Sequence, residues 1–395
     1  MKRIEVADGL RGFCLLGIFM ANLLIFQFGL SGHSFIEYFH LDTANQSVFN
    51  LILIVFEGSF MPIFAILFGF SMDKLYQSMK WRQMKRPKLK LLRRAFFLIV
   101  LGLLHGLFIW EGDILTTYGL AMLMIIPFIS LNKKYFKWFT IIGFSIIVLI
   151  FSLSIFGQAE SSISAQDKIN YIHDIKEIFG NGSYADIRNV ENLTENPKFE
   201  DLEQQLGNGK GVGLFFIGAI LLQIPIFTLG ICLSRYKWFE KTAKSFWSSK
   251  LFIYLIPISL VLKSSILWLD NEGVSGSLNN IFGILLAFGY ICLFKYLYQK
   301  YTTFKIFRGL ENMGKMSLTM YIMQSIIGTL VLYSYGLGLF GKNILIYTSL
   351  GFIGIYVIQI FLASWYQKYF RYGPLEYILR MFTYWKVKVK AKGQS

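Results

Sequence analysis

Charged residues are scarce in this sequence of 395 residues, and their scarcity argues against a soluble protein. Asp, Glu, Lys and Arg make up 16% of the chain, whereas hydrophobic residues make up 55% and aromatic residues 17%. A soluble globular domain carries about 25% charged residues. The composition therefore indicates a membrane protein, and no stretch between the apolar runs is long enough for a separate large soluble domain.

Cysteine is rare as well, and strand-like alternation of polar and apolar residues is missing. The three cysteines, Cys14, Cys232 and Cys292, lie in or at the ends of apolar runs and form no CxxC pair. This argues against a disulfide framework and against a metal–thiolate site, so we expect no metal. Because backbone N–H and C=O groups in lipid must be paired within the protein, the membrane spans are predicted to be helices and not a barrel.

Ten apolar runs approach the length that a membrane span requires, which is about 20 helical residues for a hydrocarbon core of roughly 30 Å. The predicted spans are 11–30, 47–71, 95–110, 114–131, 139–157, 211–233, 251–269, 279–297, 316–333 and 343–364. We therefore predict an all-α, polytopic transmembrane helical bundle. The first span has a basic start but no clear cleavage site after it, so we expect it to be retained.

Lysine and arginine fall on alternate sides of these spans. With the N-terminus inside, the inner segments hold 32 of the 39 basic residues. Basic residues are concentrated in cytoplasmic loops, so both termini are predicted to be cytoplasmic. The same rule accounts for the formal net charge of +16, so we expect contact with anionic lipid headgroups and no nucleic-acid partner.

The chain divides into three predicted parts. Residues 1–157 form five N-terminal membrane helices, 158–210 an extracytoplasmic segment, and 211–395 five further membrane helices and a cytoplasmic tail. Apolar residues recur at helical spacing in the middle segment, which favours two short amphipathic helices over the outer mouth, although a solvated linker is the alternative. These residues are Ile169, Ile172, Ile175 and Phe179, followed by Tyr184, Ile187, Val190 and Leu193.

The stretch LLHGLFIWEGD contains the most informative ionisable residues. An ionisable group at membrane depth costs roughly 2.5–3.5 kcal/mol, so it normally has a function or a partner. His105 lies about 16 Å along a helix from Arg94, near the middle of the bilayer. A neutral imidazole can accept a proton, and a carboxylate could fix its tautomer if a break at Gly112 turned Asp113 or Glu111 inward. A His105 that only bridges two helices through hydrogen bonds is the alternative.

Other polar residues are weaker candidates. Glu57 lies in the outer half of the second span and is a third candidate catalytic residue or an interfacial carboxylate. Arg93 and Arg94 end a polybasic segment that is either a topology signal or a phosphate-binding mouth, because the planar guanidinium can chelate phosphate oxygens. Asn22 fits a hydrogen bond between helices.

Five stretches carry a family resemblance. They are ADGLRGFCLLGIFMANL, FEGSFMPIFAILFGFSM, LLRRAFFLIVLGLLHGLFIWEGDILTTYGL, GKMSLTMYIMQSIIGTLVLYSYGLGLFG and FRYGPLEYILRMFTY, which together extend over residues 7–384. This pattern resembles the YeiB-type family of bacterial integral membrane proteins, whose shared region is domain of unknown function 418. The resemblance implies an integral protein of the bacterial cell membrane.

That family is distantly similar to membrane-bound acyltransferases such as heparan-alpha-glucosaminide N-acetyltransferase. Asp8, Arg11 and Gly12 match the D-x-x-R-G start of these enzymes, and Asn22 matches the Asn that closes their first span. The resemblance implies that acetyl-CoA or another acyl-CoA is bound from the cytosol at Asp8, Arg11 and Asn22. It also implies an acceptor on the opposite face of the membrane.

This sequence departs from the heparan enzyme at the catalytic histidine. In that enzyme the histidine lies in the outer region between the first two spans, where this chain has His33 and His40 without a matching motif. His105 is instead chosen here for its burial and its flanking charges. The choice among these three histidines stays open.

Two functions from different classes follow. In the first, acyl-CoA donates its acyl group to an extracytoplasmic or lipid-linked acceptor: Arg11, Arg93 and Arg94 hold phosphates, His105 removes the acceptor proton and Asp113 orients the ring. In the second, the protein is a proton-coupled transporter or lipid flippase in which His105, Asp113 and Glu57 relay protons. Small residues such as Gly328 and Gly354 also permit close helix contacts, within one protomer or in a homo-oligomer.

Overall fold

The structure is a computed structural model that describes residues 4–156, 163–206, 211–240, 250–269 and 271–385. Its regular secondary structure in these ranges is entirely helical. The helices are α1 (Glu5–Phe28), α2 (Thr43–Val55), α3 (Phe60–Trp81), α4 (Pro87–Phe108), α5 (Leu115–Ile125), α6 (Lys133–Phe156), α7 (Ala165–Asn181), α8 (Tyr184–Arg188), α9 (Val190–Leu193), α10 (Pro197–Leu206), α11 (Gly211–Arg235), α12 (Phe252–Lys263), α13 (Glu272–Lys300), α14 (Lys305–Lys315), α15 (Ser317–Leu332), α16 (Leu345–Tyr369) and α17 (Pro374–Tyr384). The end of the predicted cytoplasmic tail, after residue 385, lies outside the described residues.

Within the described ranges, seven helical segments are long and apolar enough to cross a membrane. Helices α14 and α15 together pass the same test but are bent by 85° at their junction, so they form an eighth span or a re-entrant segment. Two other predicted spans correspond to shorter apolar segments, Leu115–Phe128 and Phe252–Leu267. These findings support a multi-pass helical membrane protein, while the count of ten spans stays a prediction.

Helix α1 lies at the centre of the bundle, and glycines bring α14 unusually close to it. A Cβ atom on Gly12 would overlap the carbonyl oxygen of Leu310, and a Cβ on Gly314 would overlap that of Asp8. The backbones of α1 and α14 can approach this closely only because neither glycine has a side chain. The contact holds the first turns of α1 against the junction of α14 with α15.

Helices α3 and α11 are joined in a similar way. Gly69 faces the carbonyl of Phe227, and Gly230 faces that of Ile66. At the end of α11, Arg235 donates to the carboxylate of Asp73 at 3.0 Å. Asp73 is fully buried, so this ion pair fixes the second half of α3 relative to the bundle.

The middle segment of the chain covers one end of the bundle. Helix α7 spans the first apolar repeat and buries Ile172, Ile175 and Phe179 in an aromatic cluster that includes residues of α1, while Ile169 is exposed. The second repeat is divided between α8 and α9, so it is not one continuous helix. The ends of the predicted segment, 158–162 and 207–210, lie outside the described residues.

Candidate functional site

The chain folds back between α4 and α5 and brings His105 against Asp113. Nδ1 of His105 lies 3.0 Å from Oδ1 of Asp113. The second carboxylate oxygen accepts a hydrogen bond of 2.8 Å from the backbone N–H of Thr116. Asp113 therefore caps the start of α5 and holds the imidazole with the same carboxylate.

The pair is deeply buried. His105 is 1% exposed, and the side chain of Asp113 is 6% exposed. Nε2 of His105 has no hydrogen-bond partner among the described residues. Since Nδ1 faces a carboxylate, the neutral ring carries its proton on Nδ1 and leaves the lone pair of Nε2 available to accept one.

A cavity of about 410 Å³ lies between the starts of α1, α4 and α15 and the second half of α3. Its lining includes four basic and two acidic side chains, which favour an anionic ligand. These are Arg11, Lys74, Arg94, Lys315, Asp8 and Glu376. Cationic side chains in a partly enclosed site of low polarity attract anions more strongly than they would in open water.

Most of these charged groups already have partners in the protein. Arg11 pairs with Asp8 at 2.5 Å, and Lys74 pairs with Glu240 at 2.7 Å. Arg94 differs, because no hydrogen bond or close ion pair joins it to another described residue, although Tyr384 and Glu376 are near enough to act on its charge. The residue is half-buried and lines the cavity, so its guanidinium can bind a ligand there.

Glu376 closes another side of the cavity by capping α15. Its carboxylate accepts hydrogen bonds from the backbone N–H groups of Leu318 at 2.7 Å and Thr319 at 3.1 Å, and from the Thr319 hydroxyl at 2.6 Å. A negative charge is favourable at a helix N-terminus. Burial nevertheless raises the pKa of Glu376 above its ordinary value, even though these donors act in the opposite direction.

The cavity gathers only some of the residues predicted to bind a donor. Asp8, Arg11 and Arg94 line it. Arg93 does not, and its guanidinium lies 5.2 Å from the centre of the Trp385 ring. Asn22 is buried away from the cavity, and its Oδ1 has no hydrogen-bond partner among the described residues.

His105 and Asp113 do not line the cavity either. Two lining residues lie next to the pair: Tyr321, whose ring centre is 5.5 Å from that of His105, and Leu115, whose backbone lies beside Asp113. The acid–base pair and the cationic cavity are thus neighbouring features, and Tyr321 is the lining side chain that contacts the imidazole.

Glu57 belongs to a separate cluster. It lies at the break between α2 and α3, where Oε1 is 3.7 Å from Nε2 of His33 and its carbonyl accepts a hydrogen bond of 2.5 Å from Lys263. Within the described chain, no contact joins Glu57 to His105 or Asp113. His40 is exposed and has a left-handed backbone, with φ of 54°.

The sequence does not single out four residues that the structure places at the site: Lys74, Lys315, Tyr321 and Glu376. Lys74 and Lys315 look like the other basic residues of inner loops, so their sequence context offers no distinguishing signal. Glu376 follows Pro374 at the start of α17, which predicts a helix start but gives no indication that the carboxylate caps a different helix.

Fold and site together define the class as a multi-pass, all-helical membrane protein with a cationic cavity. Residues 233–386 match the model of a family described as "Protein of unknown function (DUF418)". The chain is 26% identical to "Uncharacterized protein YxaH" of Bacillus subtilis (strain 168), an alignment that covers 97% of this chain and 94% of the relative. It is 24% identical to "Uncharacterized protein YeiB" of Escherichia coli (strain K12), with 97% of each chain covered.

A further relative, "Uncharacterized 39.9 kDa protein in amylase 3'region" of Bacillus acidopullulyticus, is 24% identical over 97% of this chain and 94% of its own. These matches confirm the resemblance to the YeiB-type family. No solved structure matches the chain.

Proposed function

We propose that the protein is a membrane acyltransferase, which moves an acyl group, in the first instance acetyl, from cytosolic acyl-CoA to an extracytoplasmic or lipid-linked acceptor. The observation that carries the proposal is the unpaired guanidinium of Arg94 in a cavity that also contains Arg11, Lys74 and Lys315. The phosphates of CoA suit such a lining, because arginine binds phosphate oxygens through two parallel hydrogen bonds. A volume of about 410 Å³ is also within the range of small-molecule sites.

The chemistry of transfer assigns a role to the buried pair. Nε2 of His105 takes the proton from the acceptor hydroxyl or amine, and Asp113 stabilises the resulting imidazolium. The acceptor atom then attacks the thioester carbonyl, the C–S bond breaks, and the CoA thiolate receives the proton from His105. Because Tyr321 separates the ring from the cavity, this route requires the Tyr321 side chain to rotate when the donor binds.

The proposal includes an orientation in the bacterial cell membrane, with ten spans and both termini in the cytoplasm. Four basic residues from three different predicted inner segments meet in one cavity, which supports a common side for those segments. Termini on one side also require an even number of spans. Ten spans meet this condition, and they correspond to the seven long segments, the bent pair and the two shorter apolar segments.

A proton-coupled transporter or lipid flippase is the second candidate. The observation that favours it is the burial of His105 and Asp113 away from the cavity, since buried ionisable pairs in membrane proteins commonly relay protons. In this alternative the cationic cavity binds an anionic solute or headgroup. A second protonatable pair would come from Glu57, at the break between α2 and α3, and His33.

Labelled acetyl-CoA separates the two candidates. The full-length protein is reconstituted in liposomes with a bacterial envelope extract as the source of acceptor, and transfer of label and release of free CoA are measured. We expect both in the wild type, loss of both in His105→Ala, and no change in His173→Ala, which alters a side chain that is 75% exposed. Absence of CoA binding together with pH-driven solute uptake would replace the acyltransferase by the transporter.

A further inference from the structure

Buried polar atoms without a partner occur on His105 and on two residues of α15, the helix that carries Tyr321 against the imidazole. Nε2 of His105, the Tyr321 hydroxyl and Oε1 of Gln324 all lack a hydrogen bond to the described residues. The three side chains belong to residues that are only 1–2% exposed. Because buried polar groups in proteins are almost always hydrogen-bonded, a local group of unpaired atoms calls for a bound partner.

Tyr321 joins this group to the cavity. It lines the cavity, whereas His105 does not, and the two rings are 5.5 Å apart. Gln324 lies three residues further along α15 and therefore on the same face of the helix. The Tyr321 hydroxyl lies beside the backbone of Ile114 without forming a hydrogen bond of acceptable geometry.

The other approaches to His105 are closed. Asp113 occupies Nδ1, and Trp110 packs edge-on to the imidazole. Beyond them, Tyr184 of the middle segment donates to the carbonyl of Phe108 at 2.6 Å, and Arg188 of the same segment donates to the carbonyl of Gly106 at 3.4 Å. These bonds tie α8 over the last turn of α4, on the side away from the cavity.

The titratable neighbours of the ring are few. Asp113 faces it from the break before α5, and Tyr321 faces it from α15. Tyr118 of α5 lies near Asp113, but its hydroxyl donates to the carbonyl of Met61 at 3.1 Å. Glu111 interacts with Arg188 and not with the imidazole.

We propose that the Tyr321 hydroxyl connects the cavity to Nε2 of His105 through bound water, so that the imidazole exchanges its proton with the cavity side. A buried water bonds to otherwise unpaired polar groups, and the Tyr321 hydroxyl and Nε2 of His105 are two such groups on neighbouring rings. A proton that arrives at the hydroxyl oxygen releases the hydroxyl proton towards Nε2, so Tyr321 itself is unchanged. The inference rests on the proposed function for the use of this route, but the route can be tested without any activity.

Deuterium exchange at C2 of the histidine rings, measured by mass spectrometry on the full-length protein in nanodiscs, tests the route. We expect His105 to exchange more slowly than the exposed His173 in the wild type. In Tyr321→Phe the ring remains but the hydroxyl that holds the water is lost, so His105 should exchange about threefold more slowly still. Tyr118→Phe is the matched control and should leave the rate at His105 unchanged, because that hydroxyl already has a partner.

Two results would overturn the inference. An unchanged rate in Tyr321→Phe would mean that the hydroxyl does not hold the water, and a faster rate would mean that it acts as a seal. Tyr321→Ala provides a second variant, which removes the side chain between the cavity and His105. Deuterium exchange at His105 should then become faster and approach the rate at His173. Failure of Tyr321→Ala to accelerate exchange would mean that water reaches His105 from another side.

Added CoA keeps this test separate from the proposed function. If CoA does not bind while the Tyr321 variants behave as expected, the acyl-CoA proposal fails and the proton route stands. If CoA binds but the variants do not alter exchange at His105, the route fails and the acyl-CoA proposal stands. With both correct, CoA fills the cavity side of the route and the rotated Tyr321 no longer holds the water, so exchange at His105 should slow while His173 is unaffected.

Discussion

Arg93 and Arg94 are adjacent in the sequence but lie in different surroundings, and this difference provides a matched pair of variants. Arg94→Gln should weaken CoA binding by about tenfold or more, because a hydrogen bond to a charged group contributes about 1.5–3 kcal/mol. Arg93→Gln should leave binding nearly unchanged, since that guanidinium packs on Trp385. Calorimetric titration of each variant with CoA measures the effect. Equal losses in both variants would mean that CoA binds outside the cavity.

The sequence could predict the acid–base pair but not all of its surroundings. The cost of burying His105 and Asp113 in a membrane identifies them as candidates, and the Gly112 break makes their contact possible. The rotation of α4 in the bundle decides which of the two adjacent arginines faces the cavity. The apolar pattern of α4 does not fix that rotation. Glu376 caps a helix more than 50 residues before it, so no local pattern could reveal its role.

At the scale of elements, the contact between α1 and α14 depends on two glycines. Gly314→Ala should lower the stability of the protein by about 1–3 kcal/mol, because the new methyl group must push the α1 backbone away. Gly354→Ala is the control: a Cβ atom added there would have no other atom within 4 Å, and alanine is the better helix former. Thermal unfolding in detergent compares the two. Equal melting temperatures would contradict the close helix contact.

The stability of the protein should depend on pH through Glu376 of α17, which caps the start of α15. Burial raises the folded-state pKa of Glu376 above its ordinary value of 4.5. The stability linked to this group is therefore complete below that ordinary value and is lost as the pH rises through the raised pKa. We expect the melting temperature of the wild type to fall across this range relative to Glu376→Gln, which does not titrate. A difference between the two proteins that is constant with pH would contradict the prediction.

Helix boundaries were predictable wherever an apolar run has clear ends. The predicted span 316–333 corresponds closely to α15 (Ser317–Leu332). Its partner α14 falls in a predicted inner loop, because Lys305, Arg308 and Lys315 interrupt its apolar residues. One face of α14 is buried on α1 through Leu310 and Met313, and only tertiary packing reveals that face. The two helices are bent by 85° at their junction, and no proline in the sequence indicates this bend.

At the scale of the whole molecule, the proposed orientation can be tested with reporter fusions. Green fluorescent protein fused to the C-terminus should fluoresce, and alkaline phosphatase at the same place should be inactive, because the C-terminus is proposed to be cytoplasmic. A fusion after Lys342, between α15 and α16, should give the opposite pair of results. Active phosphatase at the C-terminus would invert the proposed topology or change the number of spans.

The cavity combines the two ends of the chain. Asp8 and Arg11 come from the first helix, whereas Glu376 and Leu379 come from the last one described. The ribosome must therefore synthesise the chain at least as far as Leu379 before this cavity can close. Until then, the arginines of the earlier helices lack their final enclosure, so products of interrupted translation should be recognised by quality-control proteases as unfinished.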